Sequence, residues 1–272
     1  MLYLSVILFF ILGLIIGSFL NVVIFRLNTA RSLGGRSGCM SCQNKLEWYE
    51  LIPVFSFIGL KGRCRNCKTK ISIQYPLVEL VTGFVFAGLF LKLADLFLAN
   101  SSSFIFSFIY YAVMFSLLLV IAVYDLRHKI IPDMLVLLFG VLAFLGLFFF
   151  KINDLSAFPI LAFHVPSMME FLSGIFIAFP FAFFWLISSG RWMGFGDAKL
   201  SLGIGWMLGL AQALSGLVIA FWSGALIGII LMIVFRHSKM GKMGMKSEIP
   251  FAPFLVLGAF IAFLFGLNLF NM

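Results

Sequence analysis

Long apolar runs follow one another along almost the whole chain, separated by short polar segments. A helix of about 20 apolar residues crosses the hydrocarbon core of a membrane, and most of these runs have about that length. Residues 200–235 are too many for one crossing at about 1.5 Å per residue, so we expect a break near residues 209–213. The pattern predicts eight crossings, at about 2–25, 77–98, 104–124, 130–150, 169–189, in the two parts of 200–235, and at 250–270.

The composition of the chain supports this interpretation. The 272 residues are 63% hydrophobic, with a mean hydropathy of +1.15, far outside the range of soluble domains. The first run has no basic segment before it and no small-residue cleavage site, so we expect a retained helix and not a signal peptide. We therefore predict an all-α polytopic membrane protein with about eight transmembrane helices.

The positive charges indicate how the chain is oriented. Cytoplasmic loops retain lysine and arginine, and an external N-terminus places all but Lys92 and Lys151 of the 19 basic residues on the cytoplasmic side. The net charge of +9 is therefore a signal of topology and gives little reason to expect nucleic acid as a partner. In this orientation the sizeable soluble part is the first cytoplasmic loop, about residues 28–76.

All four cysteines lie in that loop, in the segments CMSC and CRNC. Two CxxC pairs at this separation are typical of zinc ribbons, in which each pair gives two thiolates to a tetrahedral metal. A reducing cytoplasm argues against disulfides, which leaves four unrelated thiols or an iron–sulfur cluster as alternatives. A closed site is structural, because it supplies folding energy and has no open coordination position. We expect structural zinc on these ligands: Cys39, Cys42, Cys64 and Cys67.

Four of the ten acidic residues lie at predicted cytoplasmic ends of crossings. A carboxylate in the bilayer costs about 2.5–3.5 kcal/mol on insertion scales, so each of them is a candidate functional group. Their shared depth allows them to converge on one site. They are Glu79, Asp125, Asp133 and Asp197.

Ordinary helix chemistry explains some of these acids. Asp133 follows a proline at the start of a helix, where an acid in the first turn suits the dipole, and this interpretation is favoured for it. Asp125 ends a helix, where the dipole disfavours an anion, so a solvated loop acid is a weaker explanation there.

Asp197 has two interpretations. It could be the N-cap of the following helix. However, Gly194 and Gly196 precede it in the segment MGFGD, and we expect them to permit positive φ and the approach of another extended chain, which a cap does not require. Two carboxylates at one depth beside such a groove are what an aspartic protease needs, because like charges a few ångströms apart share a proton and divide the roles of base and acid.

Five segments together resemble the type IV prepilin peptidases, and the resemblance covers nearly the whole chain. They are GSFLNVVIFRL at 17–27, EWYELIPVFSFIGLKGRCRNC with the double CxxC, ISIQYPLVEL at 71–80, YDLRHKIIPD at 124–133 and MGFGDAKL at 193–200.

The resemblance implies a bifunctional enzyme of the bacterial inner membrane. It implies an aspartyl endopeptidase that cleaves the leader of type IV prepilins or pseudopilins after a glycine, at the cytoplasmic face, with pilus or secretion assembly proteins as further partners. It also implies methylation of the new N-terminal residue. The catalytic pair by this resemblance is Asp125 and Asp197. We expect four residues to support the pair: Gly194, Gly196, Lys199 and Asp133.

The resemblance also divides the chain. The family assigns methylation, with S-adenosylmethionine as donor, to its N-terminal part. We therefore expect residues 1–98, which include the loop at 28–76, to form the methyltransferase part. Residues 99–272 then form a six-helix peptidase core.

The residues themselves give a weaker signal for a methyltransferase site. No GxGxxG motif follows a strand. Gly17, Ser18 and Asn21 share a helix face by their i+3 and i+4 spacing, but small and amide residues also serve helix packing. Glu79 is a candidate for cofactor binding; it is either an ordinary acid near the start of a helix or a group that binds a substrate amine.

Two other classes of protein are alternatives. A proton-coupled transporter also keeps acids in the membrane, but its charges lie near the midplane and its sequence shows two related halves. A non-enzymatic assembly scaffold with a zinc ribbon explains the cysteines but requires neither Asp125 nor MGFGD. The placement of the acids at one face favours the enzyme.

Overall fold

The computed structural model describes residues 2–29, 34–150, 164–191, 193–236 and 250–270. Lys151, used above for orientation, lies outside them. Within these ranges the chain is helical and has no strand, only two isolated bridges at Gly38 with Lys45 and at Arg63 with Lys70. The α-helices are α1 Leu2–Arg26, α2 Phe55–Gly59, α3 Gln74–Lys92, α4 Ala94–Ala99, α5 Ser101–His128, α6 Asp133–Gly146, α7 Met168–Ser188, α8 Phe195–Arg236 and α9 Ala252–Phe265.

Eight apolar helical segments lie in the described ranges, which confirms the prediction of a polytopic all-α protein. Five helices are long and apolar enough to cross a membrane, namely α1, α3, α5, α7 and α8, and α6 and α9 are shorter apolar helices. The long helix α8 counts twice, because Gly209 interrupts it with φ 73° and ψ 169°. The expected break is therefore at Gly209, where a residue without Cβ adopts this conformation readily.

The chain forms two compact units, Met1–Ala94 and Asp95–Met272. In the first unit, α1 and α3 run antiparallel and pack through glycines. A Cβ on Gly13 would lie 2.6 Å from the carbonyl oxygen of Thr82, and one on Gly17 would lie 2.7 Å from the Cα of Glu79. Such close approach of two backbones is typical of small residues at helix interfaces in membranes.

The second unit is built around α8. Gly203 faces the Phe139 ring of α6, and Gly205 lies against Gly174 of α7, where an added Cβ would be 2.7 Å from the Gly174 Cα. Beyond the break, Gly216 of α8 lies against Gly258 of α9. These contacts hold α6, α7 and α9 around α8, while α5 packs against α9 and α6.

The same packing brings four helix termini together at one end of this unit. The C-terminus of α5 meets the N-terminus of α9 through Asp125 and Ala252. The N-termini of α6 and α8 meet through an ion pair between Asp133 and Lys199. The turn between α5 and α6 is short, and Lys129 closes α5 in the left-handed conformation.

Candidate active site

Asp125 is buried near the C-terminal end of α5, with 5% of its surface exposed. An anion is disfavoured by the dipole of its own helix at this end. However, its carboxylate accepts a hydrogen bond from the backbone N–H of Ala252, the first residue of α9. Asp125 therefore occupies the positive end of a second helix, one of whose free N–H groups it satisfies.

Asp197 is buried in the first turn of α8, with 8% of its surface exposed. It is the third residue of the helix and not the N-cap, and the backbone N–H of Gly194 donates to its carboxylate. Its Oδ1 atom is buried without a hydrogen-bond partner among the described residues. A simple helix-start role leaves this oxygen unexplained, because buried polar atoms are normally paired.

The two carboxylates belong to one site. Asp125 is close enough to Asp197 for a direct charge–charge interaction. Each lies at the N-terminus of a helix, Asp197 in α8 and Asp125 against α9, and each accepts one backbone N–H group. Like charges at this proximity share a proton, so the pair offers one carboxylate and one carboxylic acid at the same place.

Asp133 does not join this pair. Its Oδ1 accepts a hydrogen bond from Lys199 Nζ at 2.7 Å, and its side chain is 78% exposed. Lys199 Nζ also lies 5.1 Å from the centroid of the Phe195 ring. The sequence suggested that four acids could converge on one site. In this unit only the two buried acids, Asp125 and Asp197, do so.

The two glycines of MGFGD have different surroundings. Neither has a positive φ, so the expectation of left-handed backbone there was wrong. A Cβ on Gly196 would lie 2.9 Å from the Cβ of Ile131, which means that Gly196 is a packing residue. Among the residues that the structure describes, a Cβ on Gly194 would meet only Asp197 Oδ2 at 3.7 Å and the Gly196 nitrogen at 3.9 Å. Open space beside the carboxylate is therefore found at Gly194.

The four cysteines of the first unit lie together and form no disulfide. Their Sγ atoms are within 4.8 Å of one another, and Cys39 Sγ lies 3.7 Å from Cys67 Sγ. A tetrahedral zinc ion with Zn–S bonds of about 2.3 Å separates its sulfur ligands by about 3.8 Å. The cluster therefore fits a tetrahedral metal ion.

Two similar turns present these thiols. In the first, Cys39 N–H bonds to the carbonyl of Asn44 and Gln43 N–H to that of Cys39. In the second, Cys64 N–H bonds to the carbonyl of Thr69 and Lys68 N–H to that of Cys64. Gln43 and Lys68 both have left-handed backbone. Each CxxC segment is thus folded into the same turn by its own backbone.

Local hydrogen bonds favour thiolates in these turns. The Thr69 hydroxyl, followed by the Thr69 backbone N–H, lowers the pKa of Cys67 to about 6. The backbone N–H groups of Cys42 and Ser41 lower the pKa of Cys39. Metal binding requires thiolate ligands, so these contacts favour the metal-binding form at Cys39 and Cys67. The hydrogen bond with the Asn44 backbone lowers the pKa of Cys42, but burial and hydrogen bonds with the other three cysteines outweigh it and raise this pKa to about 11.

Glu79, the candidate for cofactor binding, is buried in the first unit, with 7% of its surface exposed. Its Oε2 accepts a hydrogen bond from the backbone N–H of Val54 at 2.8 Å, and the Ser18 hydroxyl also bonds to the carboxylate. Gly17, Ser18 and Asn21 therefore do lie on the α1 face that meets α3, and Ser18 contacts the acid directly.

Sequence reasoning missed three residues of these sites. Ala252 supplies the N–H group to Asp125, Ile131 fixes the position of Gly196, and Val54 binds Glu79 through its backbone. All three are apolar residues that act by position or through the main chain, which gives no signal in composition. The prolines around Ala252 in IPFAPF mark a helix start and were the available clue.

These features define a class. The chain is a polytopic membrane protein whose second unit buries a pair of interacting aspartates of the kind that aspartic peptidases use.

Comparison with known proteins identifies the family. Residues 112–233 match the Type IV leader peptidase family, and residues 11–93 match the Bacterial Peptidase A24 N-terminal domain. The chain is 31% identical over 262 residues to the prepilin leader peptidase/N-methyltransferase of Bacillus subtilis (strain 168), covering 94% of this chain and 93% of that protein. The chain therefore belongs to the type IV leader peptidase family.

Two further relatives carry the same name. The protein of Pectobacterium carotovorum subsp. carotovorum is 31% identical over 291 residues, covering 96% of this chain and 93% of the relative. That of Myxococcus xanthus (strain DK1622) is 34% identical over 245 residues, which are 88% of this chain but 65% of the relative. No solved structure matches the chain.

The buried pair generates a prediction about stability. We expect Asp197→Asn to stabilise the protein at alkaline pH by roughly 1 kcal/mol, or about 2–4 °C in thermal midpoint, because the wild-type pair loses its shared proton there and holds two like charges where the variant holds one. Asp133→Asn is the control; it breaks an exposed ion pair worth about 0–1 kcal/mol, so we expect it to leave the midpoint unchanged or slightly lower. Thermal unfolding in detergent measures both, and a clear loss of stability in Asp197→Asn would contradict the proximity of the two charges.

Proposed function

We propose that the chain is a membrane aspartyl endopeptidase that removes the leader of type IV prepilins or pseudopilins, after a glycine, and N-methylates the new N-terminal residue. The observation that carries the peptidase activity is the buried and interacting pair Asp125 and Asp197. The names of the relatives support both activities.

The pair provides the chemistry of amide hydrolysis. The ionised carboxylate takes a proton from water as the water oxygen attacks the scissile carbonyl carbon. The protonated carboxyl first donates to the carbonyl oxygen, and a proton then passes to the leaving nitrogen as the C–N bond breaks. The N–H groups of Gly194 and Ala252 hold the two acids, and the N-termini of α8 and α9 stabilise the negative charge that the pair shares.

The depth of the pair suggests the substrate. The two aspartates lie at helix ends, so they act on a peptide bond just before an apolar segment that remains in the bilayer. The distribution of lysine and arginine favours the cytoplasm for this end, in the bacterial inner membrane. A prepilin, with a short leader that ends in glycine ahead of an apolar helix, presents its bond at this depth.

The open side of the site is at Gly194. Among the described residues, a Cβ at this position would have only Asp197 and the adjacent backbone as neighbours, which suggests room for an extended leader there. Asp133 is exposed at the same end and offers a carboxylate to a basic leader, in competition with Lys199. Asp133 and Lys199 thus support recognition and not the chemical step.

The cysteine cluster is best explained by structural zinc. Four thiolates in tetrahedral arrangement are a typical closed zinc site, which supplies folding energy and no catalytic chemistry. S-adenosylmethionine is the methyl donor that we propose, on the basis of the N-methyltransferase names of the relatives. The transporter and scaffold alternatives are not favoured, since neither requires an interacting acid pair at helix ends.

The first prediction from this proposal concerns the acid pair. Asp125→Asn and Asp197→Asn should each reduce cleavage by a factor of about 10²–10⁴ or more, because each removes one of the two proton-transfer roles. Asp133→Asn should lower cleavage far less, because Asp133 supports recognition of the leader and takes no part in proton transfer. Co-expression with a prepilin, followed by N-terminal sequencing of the pilin, measures the outcome, and normal cleavage by either buried-site variant would refute the proposal.

A second prediction separates the two glycines. Gly194→Val should slow cleavage at least about tenfold with an unchanged thermal midpoint, since its side chain fills the space beside Asp197 without a clash. Gly196→Val should lower cleavage and stability together, because its Cβ meets Ile131. If Gly194→Val cleaves at the normal rate, the substrate does not pass over Gly194.

The third prediction concerns the metal. Purified protein should contain about one zinc ion per chain, and Cys39→Ser should lose most of it and make the loop sensitive to protease. Ser41→Ala, in the same turn, removes no ligand and should keep the zinc. Elemental analysis of the purified variants provides the measurement, and a zinc-free wild-type protein with a protease-resistant loop would exclude a structural metal.

A further inference from the structure

A buried carboxylate without a cation lies between α1 and α3. Glu79 is 7% exposed, and no described lysine, arginine or histidine forms an ion pair with it. It accepts hydrogen bonds from the Val54 N–H and the Ser18 hydroxyl, and both donors suit an ionised carboxylate. Buried charges in proteins are normally paired, so this one is incomplete.

The backbone at Val54 is strained where it meets this carboxylate. Val54 has φ 60° and ψ −50°, a conformation that a β-branched residue rarely adopts. Its N–H group nevertheless points at Glu79 Oε2 at 2.8 Å. Strain of this kind persists where the surrounding structure imposes it, and it is common at functional sites. Here the strained residue supplies a hydrogen-bond donor to the Glu79 carboxylate.

Asn21 adds an acceptor that is free. It is 1% exposed, and its Nδ2 donates to the Tyr75 carbonyl at 3.0 Å, which fixes the orientation of the amide. Its Oδ1 is consequently buried without a hydrogen-bond partner among the described residues. Tyr75 precedes Glu79 by one turn of α3, so Asn21 and Glu79 belong to neighbouring turns of the interface between α1 and α3.

The exposure of the two donor residues indicates the side from which a ligand reaches the carboxylate. Ser18 and Val54 are only half-buried, whereas Glu79 and Asn21 are buried, so the cluster opens on the side of Ser18 and Val54. A partner for this cluster needs a positive charge and hydrogen-bond donors to a carboxylate, a hydroxyl oxygen and an amide oxygen. A primary ammonium group has one charge, three donors and no acceptor.

We propose that Glu79, with Ser18 and Asn21 beside it, binds a primary ammonium group. The inference rests on the proposed function for the source of that group. Methylation offers two: the α-amine that cleavage creates on the pilin, and the α-ammonium of the methyl donor. Both present the same chemistry to the cluster.

Binding measurements on the full-length protein in detergent distinguish these sources. The first probe is a peptide with the N-terminal sequence of a mature pilin, compared with its N-acetylated form. The second probe is S-adenosylhomocysteine, which carries the α-ammonium of the donor. The variants are Glu79→Gln and Ser18→Ala, and Thr82→Val is the control, because the Thr82 hydroxyl bonds within its own helix to the Val78 carbonyl.

We expect Glu79→Gln to raise the Kd of one probe by about 10- to 100-fold, and Ser18→Ala to raise it less, with no change in Thr82→Val. If Glu79→Gln binds the free-amine peptide more weakly than the wild type does, and every protein binds the acetylated peptide weakly, the site binds the pilin amine. If Glu79→Gln instead binds S-adenosylhomocysteine more weakly, the site binds the methyl donor. Unchanged Kd values for both probes in a folded Glu79→Gln protein would overturn the inference.

Co-expression with a prepilin distinguishes a failure of the ammonium-site inference from a failure of the proposed function. Mass spectrometry of the pilin resolves uncleaved, cleaved and cleaved-and-methylated forms. In Glu79→Gln we expect cleaved pilin that lacks the methyl group. Wild-type protein that cleaves without methylating would refute the methyltransferase proposal, whereas the binding measurements would still report on the ammonium site. If Glu79→Gln fails to fold, Glu79→Asp and Ser18→Ala carry the same test.

Discussion

The second unit depends on the placement of two buried acidic side chains at the positive ends of helices. A carboxylate in an apolar bundle is costly, and two that repel each other are more so. Asp197 lies in the first turn of α8, and Asp125 takes the first N–H group of α9. The glycine contacts that pull α6, α7 and α9 onto α8 bring these termini together, so the packing of the bundle and the chemistry of the pair have one origin.

Much of this arrangement follows from the sequence. Run lengths predicted the crossings, and the excessive length of one run predicted the break that Gly209 makes in α8. The depth argument selected four acids, Asp125 and Asp197 among them, because burial of an acid in an apolar chain requires a reason. The CxxC spacing predicted the cysteine cluster, since each turn is formed by local backbone hydrogen bonds.

What sequence reasoning could not supply depends on contacts between distant segments. The dipole argument made Asp125 look unfavourable at the end of α5, because the compensating N–H group belongs to α9, far along the chain. Gly196 appeared to border a groove, but the neighbour that requires it is Ile131. Asp133 resembled its buried counterparts in position, yet its exposure and its ion pair with Lys199 arise only from how α6 and α8 pack.

The two cysteine turns restrain the segment of chain between them, which includes Val54. A metal ion on the four thiols would therefore tie together the two ends of the segment that carries the strained N–H group to Glu79. Without the ion, this cross-link is lost and the backbone at Val54 can relax. Loss of the proposed zinc ion would therefore act on the surroundings of Glu79 through the backbone at Val54.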